Sequence, residues 1–123
     1  MSKHKTSFKS LLPYSLIVIL IAITLLSLLP PKSSINLGSQ DKVSHFIAYF
    51  FLTLNALLIS EKYIKSILLI ILYGIVLECL QSFVPGRFPS YNDIIANSMG
   101  SLSGLIIILT GSKKIKRNDS LNV

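Results

Sequence analysis

Four blocks of apolar residues, each close to the length that crosses about 30 Å of hydrocarbon at 1.5 Å per residue, constrain this chain more than any other feature. They run over about Leu11 to Leu29, Val43 to Ser60, Ser66 to Val84 and Asn92 to Gly111. A soluble amphipathic helix interrupts its apolar residues every few positions, because one face must meet water. These blocks are not interrupted in that way. With 51% hydrophobic and only 14% charged residues in 123, against about 25% charged in soluble domains, a water-facing globule is the wrong template. The expected fold is all-α, a four-helix transmembrane bundle.

The separators support this division. Pro30 and Pro31 close the first block and Pro85 with Gly86 closes the third, since proline cannot continue a helix. Residues 31–40 read as a Pro/Ser/Asn/Gly loop, with Ser39 or Asp41 placed to cap the second helix. Glu61 to Lys65 is too short for anything but a tight turn, so helices two and three must be antiparallel neighbours. The first block reads as a span rather than a cleaved leader, because it exceeds the usual apolar length and lacks an A-x-A-like site. Cys79 is the single cysteine and reads as a small core residue; it excludes an intramolecular disulfide and a cysteine metal cage.

A net charge of +7 would suggest a nucleic-acid partner in a soluble protein. Here the basic residues sit at the ends of apolar blocks and no aromatic residues interleave with them as a stacking platform, which argues against nucleic acid. Lys3, Lys5, Lys9, Lys62, Lys65, Lys113, Lys114, Lys116 and Arg117 fall on one side of a four-span topology, and only Lys32, Lys42 and Arg87 on the other. Cytoplasmic segments carry such an excess, so both termini are expected in the cytoplasm, as a basic arm (1–10) and a basic tail (112–123) around a membrane domain over 11–111.

The ionisable residues inside the blocks gather at the opposite end. Asp41 and His45 open helix two, Glu78 and Gln81 lie in the last turns of helix three, Asp93 and Asn97 open helix four, and Arg87 lies in the loop between. Residues three and four apart share a helix face. Asp41, His45 and Tyr49 make one stripe, Gly74, Glu78 and Gln81 a second, and Asp93, Asn97, Gly100, Gly104 and Gly111 a third. Gly100 and Gly104 form a G-x-x-x-G pair that permits close helix approach, so the third stripe should face the bundle. A charged side chain at a helix centre costs roughly 2.5 to 3.5 kcal/mol, and Glu78, seven positions before Pro85, is too deep to snorkel. It is expected to be protonated or held by a partner such as Arg87 or His45.

Each residue also has a plainer role. Asp41 and Asp93 suit helix starts, His45 suits a satisfied interfacial ring, and Gln81 and Asn97 suit interhelical hydrogen bonds. Tyr14, Tyr49 and Tyr91 suit an interface belt.

Together, DKVSHFIAYFFL at 41–52, LYGIVLECLQSFVPGR at 72–87 and SYNDIIANSMGSLSG at 90–104 resemble the VanZ-like family of membrane proteins. The matching positions are Asp41, Lys42, His45, Tyr49, Glu78, Gln81, Arg87, Asp93, Asn97 and Gly100. The resemblance implies a multi-pass protein of the bacterial cell membrane, of the kind linked to teicoplanin-type glycopeptide resistance without a target-remodelling ligase.

Three functional readings follow. One is a binding protein that takes a membrane lipid, a lipid-linked wall precursor or a lipoglycopeptide, with Arg87, Gln81, Asn97 and Tyr49 contacting its head group. A second is a membrane-embedded hydrolase or transferase acting on a phosphate or ester. In it His45 serves as base, Asp41 orients the ring, Glu78 or Asp93 supplies acid or metal ligation and Arg87 steadies an anion. A hard or borderline divalent metal is the one cofactor this donor set admits, and the residues identify none. A proton pathway through Glu78 is the weakest, since the inner halves of helices two to four offer little beyond Asn55 to continue a relay.

Overall fold

The computed structural model describes the backbone of residues 2–29 and 38–121, and side chains over 8–29, over 42–114 and at 117, 118, 120 and 121. The described residues form four helices, α1 Ser2–Leu28, α2 Gly38–Ile59, α3 Tyr63–Gln81 and α4 Tyr91–Leu121, with no strand among them. Each contains a segment long and apolar enough to cross a membrane: Phe8–Leu28, Lys42–Ile59, Tyr63–Gln81 and Tyr91–Lys114. The chain is a four-helix multi-pass membrane protein.

Its burial pattern is the one lipid solvent selects. Large apolar side chains such as Val18, Leu26, Phe51, Leu68 and Ile106 face outward, while Thr53, Glu78, Gln81, Asp93, Asn97 and Ser101 are buried. Where the surroundings are as apolar as leucine, exposing leucine costs nothing and polar groups must find partners inside. A small apolar core of Ile23, Tyr49, Leu52, Ile70 and Leu77 ties α1, α2 and α3 together.

The closest packing joins α2 and α4, which run in the same direction. A Cβ built on Gly100 would fall on the backbone carbonyl of Phe46, and one on Gly104 would lie 3.0 Å from Thr53 Cβ and 3.1 Å from the Phe50 carbonyl. Glycine at both positions lets the two backbones touch. The expected stripe thus holds through Gly104. It fails at Gly111, where an added Cβ meets nothing within 4 Å.

Helix α1 contacts α2 and α3 and, among the described residues, does not touch α4. Polar bonds fasten it from Ser15 onward. Asn55 Nδ2 donates to Ser15 Oγ at 2.6 Å, and Tyr73 OH donates to the Leu20 carbonyl at 3.0 Å and lies 2.7 Å from Thr24 Oγ1. The helix continues through Pro13, which lacks an N–H to bond the preceding turn.

Several boundaries differ from expectation. Helix α2 begins at Gly38, so Ser39 and Asp41 lie within its first turns rather than ahead of them as caps. Helix α3 ends at Gln81, not Val84. The amides of Ser82, Phe83 and Val84 bond carbonyls three residues back, so the chain tightens into 3₁₀-like turns before Pro85, which disfavours α conformation at the residue before it. Arg87 N then donates to the Val84 carbonyl across Pro85 and Gly86, and Gly86 takes φ 81°, as a type II turn requires. Helix α4 continues to Leu121, ten residues past the expected end, since 112–121 contains neither Gly nor Pro to stop it. Cys79 is exposed on the outer surface of α3 rather than in the core.

Gly100→Ala should lower the stability of the bundle by about 1 to 3 kcal/mol, as overpacking does, because the atom struck is backbone and cannot rotate away. Gly111→Ala should be neutral or raise it by up to about 1 kcal/mol through helix propensity. Reversible unfolding of both variants in micelles, followed by helical circular dichroism, checks the contrast.

Candidate functional site

The antiparallel course of α3 against α2 and α4 brings the start of α2, the end of α3 and the start of α4 to one end of the bundle, hereafter the polar mouth. Its centre is a bond between two helices. His45 Nδ1 on α2 lies 2.9 Å from Asn97 Oδ1 on α4. An amide oxygen can only accept, so with this oxygen facing the ring Nδ1 carries the hydrogen and the basicity of a neutral imidazole resides at Nε2. One turn along α2, Tyr49 is 2% exposed. A Cβ at Gly74 of α3 would lie 3.3 Å from both the Tyr49 hydroxyl and Asn97 Nδ2, so the missing side chain is what lets three helices meet there.

Glu78, one turn beyond Gly74, is 4% exposed, and its Oε1 accepts the backbone N–H of Ser90 at 2.7 Å. Ser90 is in turn the cap of α4. Its Oγ accepts the amide of Asn92 at 3.1 Å and its carbonyl accepts those of Asp93 and Ile94. A capping box satisfies the N–H of its cap residue from the third residue of the same helix; here a carboxylate from α3 does so. The carboxyl group therefore lies at the positive end of the α4 dipole, where its ionised form is favoured. Asp93, in the first turn of α4, is also buried.

Two further expected residues turn toward α1. Gln81 Nε2 donates to the Ser27 carbonyl at 3.0 Å. Arg87 donates from Nε to the Leu29 carbonyl at 3.0 Å and from Nη2 to the Leu26 carbonyl at 2.8 Å. Carbonyls in the last turn of a helix have no acceptor role within it, and a guanidinium there both satisfies them and meets the negative end of the dipole. Glu78, expected to be protonated or held by a partner such as Arg87 or His45, has a backbone amide as one partner, while the Arg87 guanidinium is anchored at the end of α1.

The placement of the remaining residues is mixed. Asp41 lies in α2, but its side chain is outside the described residues, so an Asp41 to His45 contact is not among those described. Lys42 is exposed. Tyr14 and Tyr91 are exposed, as an interface belt requires, while Tyr49 is buried in the site. Among the described residues no three His, Cys, Asp or Glu side chains are grouped to hold a metal ion. The interhelical roles of Gln81 and Asn97 are both present, and the α1 carbonyls that receive Arg87 and Gln81 were not predicted. Backbone acceptors carry no residue type to read. Thr53 and Ser101, both 0% exposed, were also missed, and their hydroxyl oxygens lack hydrogen-bond partners among the described residues. Their positions on the Gly100 to Gly104 contact face were the available signal.

This arrangement pairs groups from α2 with α4, from α3 with α4, and from α3 and its following turn with α1. A search of curated proteins and of solved structures finds no match. The family model described as VanZ/LLP1 matches residues 1–112, which spans all three motif stretches and most of the four helices. The chain belongs to the VanZ/LLP1 family.

Proposed function

We propose that the polar mouth binds the head group of a lipophilic amphiphile at the outer face of the cell membrane, while the surrounding bundle and lipid accept its tail. The lysine and arginine bias supports this orientation, with the termini in the cytoplasm and the mouth outside. What carries the reading is one observation: Glu78, Asp93, Asn97 and Tyr49 are buried together at the end of a membrane bundle, with half-buried His45 beside them and Arg87 in the turn above. Burying two carboxylates there is costly, and ionisable residues at such positions mark function by default. Arg87 uses Nε and one Nη2 hydrogen on α1, which leaves Nη1 for an anion. Resemblance to VanZ-like proteins, a family linked to glycopeptide resistance, supports a lipid-linked wall precursor or a lipoglycopeptide as the class of ligand.

The enzymatic reading retains one specific support. The Asn97 contact occupies Nδ1 of His45 and orients the ring, which is how a general base is positioned. Under this reading Glu78 or Asp93 supplies the acid, and the substrate is a phosphate- or ester-bearing lipid.

For the binding reading, full-length protein in nanodiscs should bind an undecaprenyl-linked wall precursor. Glu78→Gln and Arg87→Ala should each weaken that binding roughly 10- to 100-fold, the value of one charge-assisted hydrogen bond. Unchanged affinity in both variants, at wild-type helical melt, removes the proposal. In cells, expression should raise tolerance of teicoplanin over an empty vector, and His45→Ala and Glu78→Gln should abolish the gain at equal membrane abundance. For the enzymatic reading, purified protein should release phosphate or cleave ester from the precursor, with the activity lost in His45→Ala; a stable, unmodified complex decides for binding alone.

A further inference from the structure

The opposite end of the bundle, where Ser60 to Lys62 join α2 to α3, has a different character. A half-open cavity of about 370 Å3 lies there between α1, α2 and α3. Leu16, Leu20, Ala56, Leu69 and the ring of Tyr73 form its wall, and Ser60 and Ser66 stand at its rim. Tyr73 presents carbon to the space, since its hydroxyl is bonded to the Leu20 carbonyl and Thr24. From Ser66 to Tyr73 the cavity reaches about 10 Å into the bundle at the helical rise. An apolar space does not hold water well, and its volume falls within the range of about 300 to 1,000 Å3 typical of ligand pockets.

Basic residues flank the rim. Lys62, at the end of the turn, and Lys65, in the first turn of α3, are both exposed, and Lys65 directly precedes rim residue Ser66. Because α1 begins and α4 ends at this same end, exposed Lys9, Lys113 and Lys114 add to the field, against exposed Glu61. An apolar slot open to hydrocarbon, with cations at its mouth, has the chemistry of a phospholipid with a negative head group. We propose that this cavity seats an acyl chain of an anionic phospholipid from the surrounding bilayer, with its phosphate held between Lys62 and Lys65. The proposal is independent of any ligand at the polar mouth and shares no residue with that site.

The fit explains two features of the fold together. Three helices leave a gap that side chains do not fill, although membrane helices gain stability mainly from contact. A lipid chain supplies the missing contact, and a fixed head group holds it in register against exchange. Anionic specificity is the discriminating property, because a gap filled by passing lipid tails has no preference for head group.

The test uses full-length protein purified in detergent and native mass spectrometry with dioleoyl phosphatidylglycerol or dioleoyl phosphatidylcholine as probe. Wild type should retain phosphatidylglycerol preferentially, by about fivefold for each lysine engaged. The double variant Lys62→Gln/Lys65→Gln should lose the preference, and Ala56→Phe, which fills the cavity, should cut retention of both lipids. Leu69→Phe serves in place of Ala56→Phe if the latter lowers the helical melt. Equal retention of the two lipids by wild type overturns the proposal, as does undiminished retention in a cavity-filled variant that melts like wild type. The wild-type comparison stands whatever the variants do, and neither result bears on precursor binding at the polar mouth.

Discussion

Backbone contact between α2 and α4 is the constraint on which the rest of the structure depends. In hydrocarbon two apolar helices gain nothing by hiding leucine, so association rests on close packing and on polar groups that find each other. Gly100 supplies the first by letting the Phe46 carbonyl approach where any Cβ would stand, and Gly104 repeats it one turn along against Phe50 and Thr53. That contact fixes the axial register of the two helices, and the register in turn brings His45 within 2.9 Å of Asn97. A shift of one residue, about 1.5 Å, would part that bond. Packing and polar pairing are thus one feature seen at two levels.

The other helices are added by different means. Helix α3 is fitted by a missing side chain at Gly74 and by Glu78, which reaches the first amide of the α4 cap. Helix α1 is the least enclosed, with most of its large apolar residues exposed. It is fastened by side chains of α2, α3 and the turn after α3 aimed at its backbone and hydroxyls: Asn55 to Ser15, Tyr73 to Leu20, Gln81 to Ser27 and Arg87 to Leu26 and Leu29. Such bonds recur from Ser15 to Leu29, so no single one carries its attachment.

The number, order and direction of the helices are legible in the sequence because span length is a property of composition, and so is the side of the bundle on which Glu78, Asp93 and Asn97 meet. The glycine stripe is legible for the same reason, as a period in residue size, but the period alone does not show where a neighbour makes contact; Gly111 keeps it and has nothing within 4 Å to face. Helix ends are less legible. Pro85 marks where α3 cannot continue, while the tightening that ends it three residues earlier depends on local carbonyls. The partner of Arg87 is hidden for a further reason. From residue types a guanidinium near a buried carboxylate reads as an ion pair, yet the orphan carbonyls at the end of α1 compete for the same donors and have no identity in the sequence.

Under the binding reading, this choice of partner couples the ligand to α1. Arg87 is held at its tip by two α1 carbonyls, and the turn that carries it is fixed by Pro85 and by Gly86 at positive φ. A head group that takes the remaining N–H donors leaves α1 in place and gains a pre-oriented cation, at little entropic cost. One that takes the Nε edge must instead displace Leu26 and Leu29, and the last turn of α1 then loses its cap. Gln81, bonded to the Ser27 carbonyl in that same turn, resists that release. The geometry therefore favours approach from the Nη1 side, away from α1, and a ligand that meets Arg87 there does so without unfastening the helix least supported by packing.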